Sequence, residues 1–371
     1  MKKNFTLLAF LLSMIGIAQD LQKNANAIAL YPSTYYSTAS GTGYSLKTQL
    51  FNIIKNHTDQ GYSGLYTTYL TSDKDFYYEN DGTLLDMYTE NPTGLECEFT
   101  YGTNQDDGTL GTAECQRYNR EHLIPQSVFG SGVTPMYSDA HFVVPADKYV
   151  NAQRGDLPFG VVNTVNNIYS NGSKKGANLN SGYSAGYSGT VFEPINEFKG
   201  DIARMLLYFA TRYEDQVAGW NFAMFNGTSN QVFTSNAINI LLTWNNNDPV
   251  STREIARNNA IYARQNNRNP YIDHPEYAMN IWGNLLSNTN VNTQNSITVY
   301  PNPSNNNKIT ITSDVLLDSI QLININGQVV VEVKNPTFID KNFILENLTQ
   351  GFYFLKLTFQ NQFITKKVLI N

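Results

Sequence analysis

A polar stretch near the C-terminal end divides the chain into two segments with different hydrophobic patterns. Residues 287–296 read SNTNVNTQNS, with no charge and no apolar periodicity, which is typical of a linker. Because the pattern of apolar residues changes across this stretch, we expect the two segments to fold as separate units. The sequence therefore predicts a first domain at residues 19–286, the linker, and a second domain at residues 297–371.

The second segment consists of short runs rich in β-branched and aromatic residues, separated by turn residues such as the Asn326-Gly327 pair. Evenly spaced short strands without a helical period are typical of a small all-β sandwich. The predicted strands cover residues 297–300, 308–312, 319–325, 328–333, 352–359 and 363–370.

The first segment contains helical periods. From Ile202 to Tyr213, apolar residues recur on one face of a helix, and Asp201 stands ahead of that run as a candidate N-cap. Residues 232–245 and 252–265 also have a helical pattern, whereas the strands are short and scattered. This combination indicates an α+β domain.

The N-terminus reads as an export signal. Lys2 and Lys3 precede an apolar run from Phe5 to Ile17, and small residues near position 18 suit a cleavage site. The alternative is a membrane anchor, but this run is shorter than the roughly 20 residues that span a bilayer. We therefore assign residues 1–18 as a signal peptide and expect a secreted or cell-surface protein with no membrane span in its mature form.

Export allows a disulfide between Cys97 and Cys115, the only two cysteines of the chain, because secreted proteins mature in an oxidising environment. The alternative is two separate buried thiols, which behave as small apolar residues.

Charge limits the function classes. The formal net charge is −6 and the isoelectric point is near 5.3, which argues against a nucleic-acid binder with a strongly basic surface. A local basic groove is still compatible with these values.

Two of the four histidines fall within residues 118–154, which also hold the richest set of polar residues. An extended run ends at Glu121-His122, a second run begins at His141, and a helix follows with Asn151 about two turns in. This order predicts a strand–strand–helix unit that brings Glu121, His122 and Asn151 together.

A carboxylate and an amide oxygen are hard ligands, which suit Mg²⁺, with Mn²⁺ or Ca²⁺ as substitutes. A neutral histidine beside the metal can take a proton from water near pH 7. Arg120, Arg154 and Arg204 can offer paired N–H donors to phosphate oxygens. The set fits phosphodiester hydrolysis, although Asn151 could be a surface amide and Arg204 could pair with a carboxylate.

Five segments occur in one order along the chain: YNREH at 118–122, DAH at 139–141, NAQR at 151–154, KGDIAR at 199–204 and QNNRNPYIDHPE at 265–276. This ordered set resembles the endonuclease I family of secreted and periplasmic bacterial nucleases. The resemblance implies a ββα-metal (His-Me finger) active site, with His122 as general base and Glu121 and Asn151 as ligands of one Mg²⁺. It implies Arg154 as a phosphate or structural contact, and products with 5′-phosphates.

The second segment contains YPNP at 300–303, NINGQV at 324–329 and LTQGFY at 348–353. These motifs resemble the C-terminal sorting domain that the type IX secretion system of some Gram-negative bacteria recognises. The alternative is a carbohydrate-binding or adhesion sandwich.

Together these features predict a secreted, Mg²⁺-dependent, largely sequence-nonspecific endonuclease that acts as a monomer on DNA, with RNA as a second candidate substrate. His122, Arg154 and Arg120 are the predicted catalytic residues, and Glu121 and Asn151 the predicted metal ligands. Two alternatives are a surface adhesin that keeps the fold without the chemistry, and a metal-dependent phosphodiesterase for a smaller substrate.

Overall fold

The computed structural model describes residues 31–283, 285, 297–313, 316–359 and 362–371. The predicted signal peptide at 1–18 and the predicted linker at 287–296 lie outside these residues, so the domain boundaries stay predictions. The chain divides into two compact units, Met1–Gly283 and Asn284–Asn371, which are described in turn.

The first unit combines helices and short strands, which confirms the α+β prediction. Its helices are α1 (Gly43–Ile54), α2 (Gly64–Ser72), α3 (Gln126–Phe129), α4 (Lys148–Arg154), α5 (Lys199–Arg212), α6 (Ser235–Asn247), α7 (Thr252–Gln265) and α8 (Pro270–Asp273). A further helix covers residues 276–283. Its strands are β1 (Tyr118–His122), β2 (Val143–Asp147), β3 (Val162–Ile168), β4 (Lys174–Asn178) and β5 (Thr190–Glu193).

Helix α5 lies at the centre of this unit, and every residue from Gly200 to Arg212 is buried. It packs against α6, α1 and α8. The prediction that Asp201 caps this helix is wrong, because α5 begins earlier, at Lys199. Asp201 instead lies in the first turn, where its buried carboxylate pairs with Arg253 of α7.

Helix α7 begins with a capping box. The Ser251 hydroxyl accepts from the backbone N–H of Glu254, and the Glu254 carboxylate accepts from the backbone N–H of Ser251. The same carboxylate accepts two hydrogen bonds from Arg204 of α5, at 2.6 and 2.8 Å. Glu254 therefore stabilises the start of α7 and joins it to α5.

Strands β1 and β2 form a two-stranded antiparallel sheet in which Tyr118 pairs with Asp147 and His122 pairs with Val143. Strand β2 leads directly into α4, because Asp147 acts as the N-cap and its side chain accepts from the backbone N–H of Val150 at 2.9 Å. The predicted strand–strand–helix order is therefore present. A separate antiparallel sheet has the strand order β3-β4-β5.

Among the described residues from Ile297 onward, the regular elements of the second unit are all strands, which confirms the predicted all-β sandwich. One sheet has the order β10-β7-β6 and the other has the order β12-β11-β8-β9, and side chains of both form one apolar core. The pattern analysis missed β10. The strands are β6 (Ile297–Tyr300), β7 (Ile309–Ser313), β8 (Ser319–Asn324), β9 (Val329–Lys334), β10 (Asn342–Leu345), β11 (Gly351–Phe359) and β12 (Gln362–Ile370).

Within the described residues, no helix has the length and apolar character that a membrane crossing requires.

Cys97 and Cys115 form a disulfide, as predicted, with their Cα atoms 4.8 Å apart. The backbone N–H of Cys115 also donates to the Asp147 carboxylate at 2.7 Å. Because Asp147 caps α4, this cross-link is connected to the strand–strand–helix unit.

We expect reduction of this disulfide to lower the free energy of unfolding by about 3 kcal/mol, since the bond closes a loop of 18 residues. The melting temperature should fall by roughly 6–12 °C, which scanning calorimetry with and without reductant would measure. The control is Cys97→Ala/Cys115→Ala, in which reductant should have no further effect. An unchanged melting temperature on reduction of the wild-type protein would contradict the expectation.

Candidate active site

The carboxylate of Glu121 lies buried near the end of β1. Its Oε1 atom accepts from the Tyr88 hydroxyl at 2.7 Å and from Nη1 of Arg154 at 2.8 Å. No described residue donates to Oε2. Burial raises the pKa of Glu121, whereas Arg154 and the Tyr88 hydrogen bond act in the opposite direction. One oxygen of this carboxylate is therefore fixed and the other is left for a ligand.

The His122 imidazole is held in one tautomer. Its Nε2 atom lies 3.1 Å from the backbone carbonyl oxygen of Tyr137. Because a carbonyl can only accept, Nε2 must carry the hydrogen, and in the neutral ring Nδ1 then has a lone pair. Burial, above all, lowers the pKa of His122 to about 4, so the ring is neutral at pH 7. No described residue donates to Nδ1, which is thus available to accept a proton.

Two tyrosines fix the plane of this imidazole. The ring of His122 stacks on Tyr137 with centroids 5.4 Å apart and an interplanar angle of 12°. Tyr137 in turn stacks on Tyr62 with centroids 3.9 Å apart. These contacts, together with the Nε2 hydrogen bond, orient Nδ1.

Asn151 lies on α4, where its Nδ2 atom donates to Oδ1 of Asn119 at 2.8 Å. Asn119 and Glu121 are two residues apart on β1 and so share a face of the strand. Helix α4 contacts both of them, through Asn151 and Arg154. With its N–H group engaged, the Asn151 amide has its oxygen left for a ligand.

The three arginines lie in different environments. Arg154 is 1% exposed and donates to the Glu121 carboxylate and to the backbone carbonyls of His122, Leu123 and Leu157. It therefore positions the end of β1 from the interior. Arg204 is also buried, bound to Glu254, which confirms a pairing with a carboxylate and leaves no access to substrate.

Arg120 is partly exposed, unlike the other two. Its guanidinium carbon lies 3.5 Å from the ring centroid of Tyr62 and 4.3 Å from that of Tyr66, and Nη1 donates to the Tyr62 carbonyl. No described residue accepts from Nη2, so Arg120 can offer that donor to an anion near the His122 stack.

Sequence reasoning missed three residues that organise this site: Tyr88, Asn119 and Tyr137. The period of two along a strand could have placed Asn119 beside Glu121. No comparable signal marks Tyr88 or Tyr137 among the 24 tyrosines of the chain, because their contacts depend on how distant segments pack.

The two oxygens that remain open, Oε2 of Glu121 and Oδ1 of Asn151, are of the type that Mg²⁺ prefers. Magnesium is commonly held by one or two protein ligands and keeps several waters. The residues present therefore fit the metal that the sequence predicted.

Comparisons with known proteins place the chain among the secreted nucleases. The model of the Endonuclease I family matches residues 42–276, and the chain belongs to that family. A second family model, the secretion system C-terminal sorting domain, matches residues 298–371. The chain is thus a nuclease followed by a sorting domain, and it is a secreted or cell-surface protein.

Two curated relatives support this placement. The chain is 36% identical over 254 residues to an extracellular ribonuclease of Bacillus subtilis (strain 168), which covers 67% of this chain and 78% of the relative. It is 35% identical over 254 residues, with the same coverage, to an extracellular ribonuclease of Bacillus amyloliquefaciens. These matches favour the enzyme over the adhesin.

We expect Arg154→Met to lower the free energy of unfolding by about 3–5 kcal/mol, because it leaves the Glu121 carboxylate buried without its cation. The comparison variant is Arg120→Met, which loses partly exposed cation–π contacts and one hydrogen bond to the Tyr62 carbonyl and should cost about 1–2 kcal/mol. Denaturant unfolding of both variants measures the difference.

The cause can be tested in the same experiment. In a Glu121→Gln background no buried charge is left unpaired, so Arg154→Met should cost clearly less there. Equal costs in both backgrounds would show that the ion pair is not the reason.

Proposed function

We propose that the protein is a Mg²⁺-dependent, largely sequence-nonspecific endonuclease that cleaves phosphodiester bonds in DNA and RNA and leaves 5′-phosphates. The observation that carries this proposal is the hydrogen bond from Nε2 of His122 to the Tyr137 carbonyl, which leaves Nδ1 available as a base on the residue that follows Glu121 in β1. Membership of the Endonuclease I family supports it.

In this mechanism Nδ1 of His122 takes a proton from a water molecule, whose oxygen attacks the phosphorus in line with the leaving group. The bond from phosphorus to the 3′-oxygen breaks, the 3′-oxygen takes a proton from solvent water, and the phosphate stays on the 5′ side. The protonated His122 then returns its proton to solvent. Glu121 and Asn151 would hold Mg²⁺, which when bound neutralises charge on the phosphorus centre and on the leaving oxygen. Arg120 would hold a phosphate oxygen through Nη2.

Two features of this mechanism set the substrate class. The nucleophile comes from water, so the reaction does not need the 2′-hydroxyl, and both sugars are acceptable. Contacts of Arg120 and the metal with phosphate oxygens carry no base information, which accounts for low sequence specificity. The name of the Bacillus relatives, extracellular ribonuclease, supports RNA as a substrate beside DNA.

We further propose that the type IX secretion machinery reads the sorting domain and that the domain takes no part in catalysis. The nuclease is proposed to act as a monomer. The proposal on secretion rests on the sequence resemblance and on the family match at residues 298–371.

The test is digestion of plasmid DNA and of single-stranded RNA with Mg²⁺, with chelator, and with His122→Ala. We expect the variant to fold normally and to lose about 10²–10⁴-fold in rate on both substrates, because it lacks the general base. The matched control is His274→Ala, a partly exposed histidine outside the site, which should keep wild-type activity.

Each arm of this experiment can contradict part of the proposal. Near-wild-type turnover by His122→Ala would show that His122 is not the general base. Full activity in the presence of chelator would show that the reaction does not need a metal ion. Cleavage of RNA alone, with cyclic-phosphate ends, would show that the 2′-hydroxyl is the nucleophile. Hydrolysis of a small diester without cleavage of either polymer would favour the smaller-substrate phosphodiesterase.

We expect Asn119→Ala to weaken the apparent Mg²⁺ affinity by about 10–100-fold, the usual cost of losing a group that orients a metal ligand. Rates measured across a Mg²⁺ titration would show this shift, and Asn151→Ala should show a larger one. Asn167→Ala, an exposed asparagine of β3, is the control and should not shift the curve. Unchanged affinity in both Asn119→Ala and Asn151→Ala would remove Asn151 as a ligand.

A further inference from the structure

Four carboxylates converge on the loops that follow α2, in a group separate from the residues of the candidate active site. Asp75, Glu79, Glu90 and Glu96 each offer an oxygen, and these four atoms all lie within 4.8 Å of one another. Asp75 and Glu90 are buried, Glu96 is partly exposed and Glu79 is exposed. The group therefore has a buried floor and one side open to solvent.

Glu90 points to a ligand independently of this clustering. Its side chain is 1% exposed, and neither of its carboxylate oxygens has a hydrogen-bond partner among the described residues. Oε1 of Glu96 is also buried without a partner. Buried carboxylates are strongly unfavourable unless they are paired or coordinate a metal.

No positive side chain compensates this charge. In the described part of the chain, none of the four carboxylates forms an ion pair with a lysine, arginine or histidine. Burial and the closeness of the four acids disfavour their joint ionisation, and a bound cation would remove that penalty.

The backbone already holds two of these residues in place. The Asp75 carboxylate accepts four backbone N–H groups from residues 77–80, at 2.9–3.1 Å, which shapes the loop that carries Glu79. The backbone N–H of Glu90 donates to the carbonyl of Asp86 at 2.8 Å. The oxygens are thus presented by ordered loops, which favours binding because little order is lost.

We propose that Asp75, Glu79, Glu90 and Glu96 bind one Ca²⁺ ion as a structural site. The donors are oxygens only, which excludes the nitrogen and sulfur ligands typical of zinc sites. Calcium accepts six to eight oxygens from mono- and bidentate carboxylates in flexible geometry, whereas Mg²⁺ is usually held by one or two carboxylates. Four carboxylates with waters on the open side suit Ca²⁺.

This ion would stabilise two segments that lead to the active site. Glu90 lies two residues after Tyr88, whose hydroxyl donates to Glu121, and Glu96 precedes Cys97 of the disulfide. The inference does not depend on the proposed function, because the site is defined by stability and binding rather than by turnover.

The test uses the full-length exported protein, freed of metal with chelator and then titrated with CaCl₂. Isothermal titration should detect Ca²⁺ binding, and the melting temperature should rise by about 5 °C or more at a Ca²⁺ concentration of about 100 times Kd. Glu90→Gln/Glu96→Gln should lose this shift. That variant should still fold in chelator, with a melting temperature no lower than the wild type, because it relieves like-charge repulsion.

Two controls locate the effect. Glu98→Gln, an exposed acid outside the cluster, and Glu121→Gln, which alters the candidate active site, should both keep the Ca²⁺-induced shift. The proposal is overturned if the wild-type protein shows no shift, if Glu90→Gln/Glu96→Gln keeps it, or if Glu121→Gln alone abolishes it. None of these outcomes depends on nuclease activity, so failure here is distinguishable from failure of the catalytic proposal.

Discussion

The buried guanidinium of Arg154 is the interaction on which the geometry of the active site depends. It connects the last turn of α4 to the end of β1 through the Glu121 carboxylate and the backbone carbonyls of His122 and Leu123. A planar fork with several donors suits this position, because it can satisfy a charge and two carbonyls at once. The residues at the end of β1 therefore have their backbone fixed before any substrate arrives, and a lysine could not reproduce these contacts.

The remaining groups of the site are each held by a neighbour that leaves one atom open. The Tyr137 carbonyl accepts from Nε2 of His122, so that Nδ1 of His122 stays free to accept a proton. The Asn119 side chain accepts from Nδ2 of Asn151, so that Oδ1 of Asn151 stays free for a ligand. Preorganised polar groups of this kind lose little order during reaction, which is why they favour catalysis. Supporting residues such as Tyr137 and Asn119 thus shape the candidate site together with the groups whose atoms stay open.

Sequence patterns predicted the long helices α5, α6 and α7, most strands of the second unit and the strand–strand–helix order, because those features follow from local periodicity and turn residues. They did not predict α1 (Gly43–Ile54). The sequence patterns gave wrong or incomplete predictions where the packing of distant segments determines the position of a side chain. Asp201 has the right residue type for a cap, but its burial beside Arg253 places it inside the first turn of α5. The sequence alone does not distinguish the environments of Arg154 and Arg120. Only the fold shows that Arg154 is buried and that Arg120 is partly exposed.

The disulfide has a consequence for the cell that makes this enzyme. The cytoplasm keeps thiols reduced, so the bond between Cys97 and Cys115 forms only after the chain has left it. Until then the loop beside Asp147 lacks its covalent restraint, and with it a support of the β2–α4 junction. The nuclease domain consequently gains this restraint only after export, outside the compartment in which the chain is made.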